Sequence, residues 1–164
     1  MYLVIRLQFV CLQSKVQIVF FHFFSRTQIA RKTDRIDLEK IKSDPLKMLL
    51  TFTTYANEQA DFFNHFGVDE AFHFLGLICV DKYKRRGVAS KLFHAQITWI
   101  RSLGMEGIVI KGEASSNYSK PIFMRENFEV LYDLKFAGFM VNGEEILQNT
   151  GEHTSMIVYG LRAC

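Results

Sequence analysis

Two patterns of apolar residues follow each other in the middle of the chain. Residues 72–80 are apolar at both even and odd positions, which is typical of a strand covered on both faces in a parallel sheet. Residues 88–103 place apolar side chains at helical spacing, and Gly104 is a natural stop. A second strand, 107–111, follows at once. The pattern predicts a right-handed crossover whose turn lies at the carboxyl end of its first strand, where open α/β sheets bind ligands.

The flanking regions predict further helices and strands. Segments 34–42 and 45–66 carry apolar residues among charges at helical spacing, so we expect two helices there. Apolar and polar residues alternate after Val130, which predicts a strand through residue 136. A loop containing Asn142-Gly143 then leads to a last strand, 155–161.

The turn between the first predicted strand and its helix is strongly basic. It reads Lys84-Arg85-Arg86-Gly87. By composition alone, such a turn is more often a solvated surface feature. Here Gly87 lets the backbone approach a ligand closely, and the following helix leaves its first N–H groups unpaired at the positive end of its dipole. The context therefore predicts an anion site that suits a pyrophosphate.

Residues 84–89 resemble the Q/R-x-x-G-x-G/A signature of the GNAT acetyltransferase superfamily, with lysine in place of Gln or Arg at the first position. The resemblance implies the α/β fold of acyl-CoA N-acyltransferases, a mixed central sheet flanked by helices, and acetyl-CoA as co-substrate, without a metal. Its pyrophosphate would be held by Lys84, Arg85, Arg86, Gly87, Val88 and Ala89. Its thioester carbonyl would be polarised by backbone amides of Ile78, Cys79 and Val80. Neither nucleotide-binding motif, G-x-x-x-x-G-K-[ST] or G-x-G-x-x-G, occurs in the chain.

A second resemblance, from about residue 25 to residue 161, is to the insect arylalkylamine N-acetyltransferases. It includes Ser115-Ser116-Asn117-Tyr118-Ser119 and the His153-Thr154 pair. In that family a Ser-x-x-x-Ser pair lies beside the thioester, so the resemblance implies that Ser115 and Ser119 act in catalysis and that one of them protonates the departing thiolate. From the spacing alone, helix capping is the more common role for such serines. Because Pro121 is tolerated only in a first turn, the following helix must start late or kink.

No general base is evident. The arylalkylamine family uses a glutamate in an early Glu-Pro-Leu segment, whereas Asp44-Pro45-Leu46 belongs to a different segment, and fewer residues precede position 25 than the family usually has. His153 is a second candidate base, or an ordinary histidine of a surface loop. Cys79 is interpreted as a small core residue and not as a nucleophile, because direct acetyl transfer needs no covalent intermediate. The resemblance also implies that the front helices cover the acceptor pocket with their aromatic side chains, although such stripes are usually core packing.

The chain is interpreted as an atypical apolar segment, 1–24, followed by a GNAT-like domain, 25–164, with its core motif at 72–135. Gln8, Gln13 and Lys15 interrupt the first segment, which argues against a membrane span. The segment forms one or two strands, or is an amino terminus without an evolved role.

Composition agrees with a soluble intracellular enzyme of one domain. The 164 residues are 49% hydrophobic and carry a net charge of +3, which is too mild for a nucleic-acid surface. Three widely spread cysteines argue for a reducing compartment. We therefore expect a cytoplasmic monomer that binds neither nucleic acid nor membrane. The family resemblance implies acetyl-CoA and a small amine as its partners.

The sequence thus predicts an N-acetyltransferase that moves an acetyl group from acetyl-CoA to a primary amine, an arylalkylamine such as dopamine, serotonin or tryptamine, by direct attack on the thioester. Two alternatives remain open. One is a catalytically impaired CoA-binding remnant, which the missing glutamate favours. The other is a nucleic-acid or acidic-protein binding module that uses the basic run 82–86.

Overall fold

The structure is a computed structural model that describes residues 23–79 and 81–163. Most of the apolar segment 1–24 and also Val80 therefore lie outside the described residues. The strands and helices, in chain order, are β1 Phe23–Arg31, α1 Asp44–Ala60, α2 Phe62–Phe66, β2 Glu70–Cys79, α3 Val88–Ser102, β3 Val109–Ala114, α4 Lys120–Arg125, β4 Glu129–Lys135, β5 Met140–Val141, β6 Glu144–Glu145 and β7 Ser155–Arg162.

Five of the strands form one mixed sheet in the order β1-β2-β3-β7-β4. β2 and β3 run parallel and are joined by α3, whereas the other neighbouring strands are antiparallel. The predicted strand, turn, helix, strand unit is confirmed, and so is the mixed sheet flanked by helices. The Asn142-Gly143 turn joins β5 to β6, with both residues at positive φ (53° and 86°), as a tight hairpin requires.

The predicted helix over 34–42 is wrong, because the segment contains only a 3₁₀ turn, Leu38–Lys40. No residue of the turn is buried, and the Asp37 side chain accepts a hydrogen bond from the Glu39 N–H. Such a local hydrogen bond gives a backbone N–H group its acceptor without the formation of an α-helix. The helix predicted over 45–66 is two helices, because Asp61 takes the left-handed conformation (φ 43°) between α1 and α2.

The sheet is covered on both faces. On one face, α3 and α4 bury an aromatic cluster that includes Phe74, Phe93 and Phe123. On the other face, α1 and α2 pack Phe52 and Phe62 against small and aliphatic strand residues. Side chains that alternate along β2 and β3 therefore reach two separate layers.

The sheet opens where β2 and β3 run toward the basic turn. On the β1 side, Arg26 pairs with Gly76 and Thr27 with Phe74, so Leu75 is an extra residue and β2 bulges there. On the β3 side, pairing runs only from Phe72 to Phe74, opposite residues 110–112. Beyond these residues, β2 continues to Cys79 and β3 to Ala114 without pairing to each other. A gap therefore separates the carboxyl ends of the two parallel strands.

Candidate active site at the gap between two parallel strands

A cavity of about 290 Å³ occupies the gap. One wall is the carboxyl half of β2 from Phe74 to Ile78, and the opposite wall is Glu113 at the end of β3. Ser115, Ser116 and Ser119 line the cavity from the loop before α4. Its lining joins apolar rings to a few convergent polar groups, as small-molecule sites do.

The basic turn adjoins the cavity and begins α3. Gly87 is the N-cap of α3 with φ 73°, and no side chain caps the helix. Within the part of the chain that the structure describes, and apart from the two adjacent residues, no heavy atom lies within 4 Å of the position that a Cβ on Gly87 would take, so the backbone is open to a ligand there. Uncapped N–H groups at a helix start bind anions, and they fit the phosphates of a CoA.

An ion pair holds the first residue of the turn. The Lys84 Nζ lies 2.6 Å from Asp81 Oδ1, and both side chains are exposed. Their hydrogen bond and mutual attraction lower the pKa of Asp81 and raise the pKa of Lys84. An anion at the turn therefore competes with Asp81 for Lys84.

The predicted cofactor residues lie where the sequence places them, at the carboxyl end of β2 and the start of α3. Ile78 is exposed and lines the cavity. Cys79, the last residue of β2, is half-buried. Val80 lies outside the described residues. The role of these residues in cofactor binding stays a prediction.

The serine loop pairs Ser119 with Ser116 and not with Ser115. The two hydroxyl oxygens are 2.9 Å apart, and each also accepts from the other residue's backbone N–H. α4 starts late, at Lys120, with Pro121 in its first turn, as expected, and the Ser119 hydroxyl does not cap it. Ser115 is exposed and contributes to the cavity wall separately. The catalytic roles of Ser115 and Ser119 stay a prediction.

The serine loop is fastened to the loop before β7. The Asn117 side chain donates to the Glu152 carbonyl at 2.6 Å, and the Tyr118 hydroxyl donates to the Glu152 carboxylate. That bond raises the pKa of Tyr118, while Arg85 and Lys84 of the basic turn act in the opposite sense. His153 accepts from the Asn117 N–H through Nδ1 at 3.3 Å. This contact occupies one ring nitrogen of the histidine that the sequence offered as a second base.

A buried charged cluster escaped the sequence analysis. His73 Nε2 lies 2.7 Å from Glu113 Oε2, and Lys111 Nζ lies 3.2 Å from Glu113 Oε1. Burial alone would raise the pKa of Glu113, but the charges of His73 and Lys111 and the hydrogen bond with His73 outweigh it and hold that pKa at about 2. The one available signal was a set of three polar residues in otherwise apolar strands.

Among residues 23–79 and 81–163, no group of three His, Cys, Asp or Glu side chains is placed to hold a metal ion. In the same part of the chain, no helix combines the length and apolar character that crossing a membrane requires.

Comparison with known proteins supports the fold. No family model and no curated protein matches the sequence. Among solved structures, arylalkylamine N-acetyltransferase 2 from Aedes aegypti superimposes with a TM-score of 0.77 at 18% identity, over 87% of this chain and 68% of that one. The putative arylalkylamine N-acetyltransferase 7 of the same mosquito gives 0.76 at 18% identity, over 87% of this chain and 59% of its own length.

A polyamine N-acetyltransferase of Drosophila melanogaster, an enzyme that forms N-acetylagmatine, gives a TM-score of 0.62 at 15% identity, over 85% of this chain and 68% of that one. Identities this low carry the fold and not the substrate. The mixed sheet, the gap between its two parallel strands and these superpositions together give one conclusion: the chain has the GNAT acyltransferase fold and resembles the insect arylalkylamine N-acetyltransferases in structure.

Proposed function

We propose that this protein is an N-acetyltransferase that transfers the acetyl group of acetyl-CoA to a primary amine, with an arylalkylamine such as dopamine, serotonin or tryptamine as acceptor. The observation that carries the proposal is the cavity between β2 and β3, beside the uncapped start of α3. In this position one ligand can place its phosphates at the turn and its acyl end in the gap.

The protein's own groups supply three functions. The α3 N–H groups, with the charges of Lys84, Arg85 and Arg86, bind the pyrophosphate. Backbone amides near Ile78 polarise the thioester carbonyl. The Ser116–Ser119 pair donates a proton to the leaving thiolate.

The transfer itself is a direct displacement. The neutral amine nitrogen attacks the thioester carbon, the C–N bond forms, and the C–S bond breaks with its electron pair on sulfur. The amine arrives as an ammonium ion, loses one proton before it attacks, and loses a second proton when the amide forms. One of these protons ends on the thiol of CoA and the other goes to solvent.

Two measurements test the proposal in sequence. Calorimetric titration with acetyl-CoA at moderate salt should give micromolar binding, and a thiol-release assay with dopamine, serotonin, tryptamine and agmatine should then show turnover. Absence of heat from the folded protein would contradict the proposal at its first step.

A catalytically impaired CoA-binding protein is a second candidate. The occupied Nδ1 of His153 favours it, because this contact weakens one of the candidate bases. Acetyl-CoA binding without thiol release across the amine panel would select this candidate.

A further inference from the structure

The buried cluster of His73, Lys111 and Glu113 lies on the α1/α2 face of the sheet. Ala71 and Val109 pack against α2, and side chains two residues apart on a strand share a face. The basic turn leads instead into α3, on the opposite face. The charged cluster and the helix that follows the basic turn therefore lie on opposite faces of the sheet.

Glu113 is the member of the cluster that reaches the gap. Its neighbour on one side is Val158 of β7, while on the other side the β2 ladder has already ended at Gly112. Glu113 is one of the residues that line the cavity. Oε1 is buried and accepts no hydrogen bond in the described part of the chain, since Lys111 is close enough for an ion pair but not in hydrogen-bonding geometry.

A buried carboxylate oxygen without a donor is costly and uncommon in native proteins. A ligand that brings N–H groups would satisfy it. We propose that Glu113 receives the ammonium group of the acceptor amine at the cavity between β2 and β3. This inference rests on the proposed function and assigns the acceptor class as a cationic amine.

His73 and Lys111 hold the carboxylate in place and keep it ionised, so that it can only accept hydrogen bonds. Lys111 also competes with the substrate ammonium for Glu113, because its own ammonium lies 3.2 Å from the same Oε1. A substrate ammonium in direct contact with Oε1 still gains, since attraction between charges falls with distance and Lys111 would be the farther charge. The cluster therefore predicts opposite effects for the removal of Glu113 and of Lys111.

The test measures amine binding in the full chain by calorimetry, with and without coenzyme A. The probes are tryptamine and its uncharged isostere tryptophol. We expect the unaltered protein to bind tryptamine more tightly than tryptophol by about tenfold or more, as for one charge-assisted hydrogen bond. Glu113→Gln should abolish this preference and leave the acetyl-CoA affinity within about twofold.

Lys111→Met is the matched variant. It removes the competing cation and should strengthen tryptamine binding, an effect that a merely structural cluster would not produce. Because Glu113→Gln leaves Lys111 buried without its carboxylate, the double variant Lys111→Met/Glu113→Gln serves if the single variant does not fold. It too should bind tryptamine and tryptophol equally.

Three outcomes would overturn the assignment: no preference for tryptamine in the unaltered protein, a preference that survives in the folded double variant, or weaker tryptamine binding in Lys111→Met. Failure of acetyl-CoA to bind the unaltered protein would instead overturn the proposed function. The amine titrations without coenzyme A would still decide the role of Glu113.

Discussion

Ser116 and Ser119 exchange hydrogen bonds through both their hydroxyls and their backbone N–H groups at the wall of the cavity. Each hydroxyl has a fixed partner, so the pair holds the loop in one conformation before α4 begins. A proton donated by one serine can be replaced from the other. The pair is therefore the unit on which a test of proton donation should act.

Ser119→Ala should lower kcat by roughly tenfold to a hundredfold, because a positioned proton donor contributes about that much or more. The acetyl-CoA affinity, measured by calorimetry, should stay nearly unchanged. Ser116→Ala tests the pairing and should lower kcat as well, whereas the exposed Ser115→Ala should act more weakly. Equal losses of kcat and of acetyl-CoA affinity in Ser119→Ala would assign the serine a structural role.

Gly87→Val should weaken acetyl-CoA binding by at least about tenfold. A β-branched side chain at φ 73° is strained, at a cost on the order of 1–3 kcal/mol, and it occupies the side from which the phosphates approach. Gly67→Val is the matched control, because Gly67 has φ 66° and equally open surroundings but follows α2, away from the turn. Similar acetyl-CoA affinity in the two variants would contradict the assignment of the pyrophosphate to the turn.

The stability of the protein should fall in acid because of Glu113. Its pKa is about 2 in the folded protein against an ordinary value of 4.5, so the unfolded chain binds the proton more readily. The contribution, about 3 kcal/mol, is complete above pH 4.5 and is lost as the pH falls from there toward 2. Urea unfolding at a series of pH values measures it.

Glu113→Gln is the control for this titration. It cannot titrate, so its free energy of unfolding should change less between pH 4.5 and 2 than that of the unaltered protein. Identical pH dependence in the two proteins would show that other carboxylates are responsible.

Gly112→Ala should destabilise the protein by roughly 1–3 kcal/mol, because the new Cβ would lie 2.6 Å from the Phe123 ring. The additional change Phe123→Leu should recover part of that loss. Gly160→Ala is a matched control, since its Cβ would lie 2.4 Å from the Phe66 ring on the other face. Both alanine variants should unfold at lower urea concentrations than the unaltered protein. Only Gly112→Ala should also disturb the cavity, so titration with acetyl-CoA distinguishes the two variants.

The sequence predicted the strand, turn and helix unit whose strand lines the cavity. Apolar periodicity from Val88 to Ser102 and the basic turn before it are local signals, and the structure preserves them. The helix predicted around Ile36 does not form, because apolar spacing alone does not stabilise a helix. Ile36 is 50% exposed and does not pack into a core.

The charged cluster of His73, Lys111 and Glu113 was not predictable in the same way. His73 and Glu113 are 40 residues apart in the sequence and meet only because β2 and β3 are neighbours in the sheet. The hydrogen bond between Ser116 and Ser119 was not predictable either, since the conformation of the loop, and not the spacing of the serines, selects Ser116 as the partner of Ser119. Long-range contacts of this kind require the register of the sheet.

The extra residue in β2 has a consequence for how such a site can vary. Leu75 is 42% exposed, so its contribution does not depend on a buried shape that only leucine fills. What matters is that β2 contains one more residue than β1 can pair, which lets Leu77 rejoin the face of Phe74 and pack with the α3 layer. The opening in the sheet is thus set by the length of the strand more than by its side chains. Substitutions at position 75 should be tolerated, whereas a one-residue deletion there would allow the strands to close.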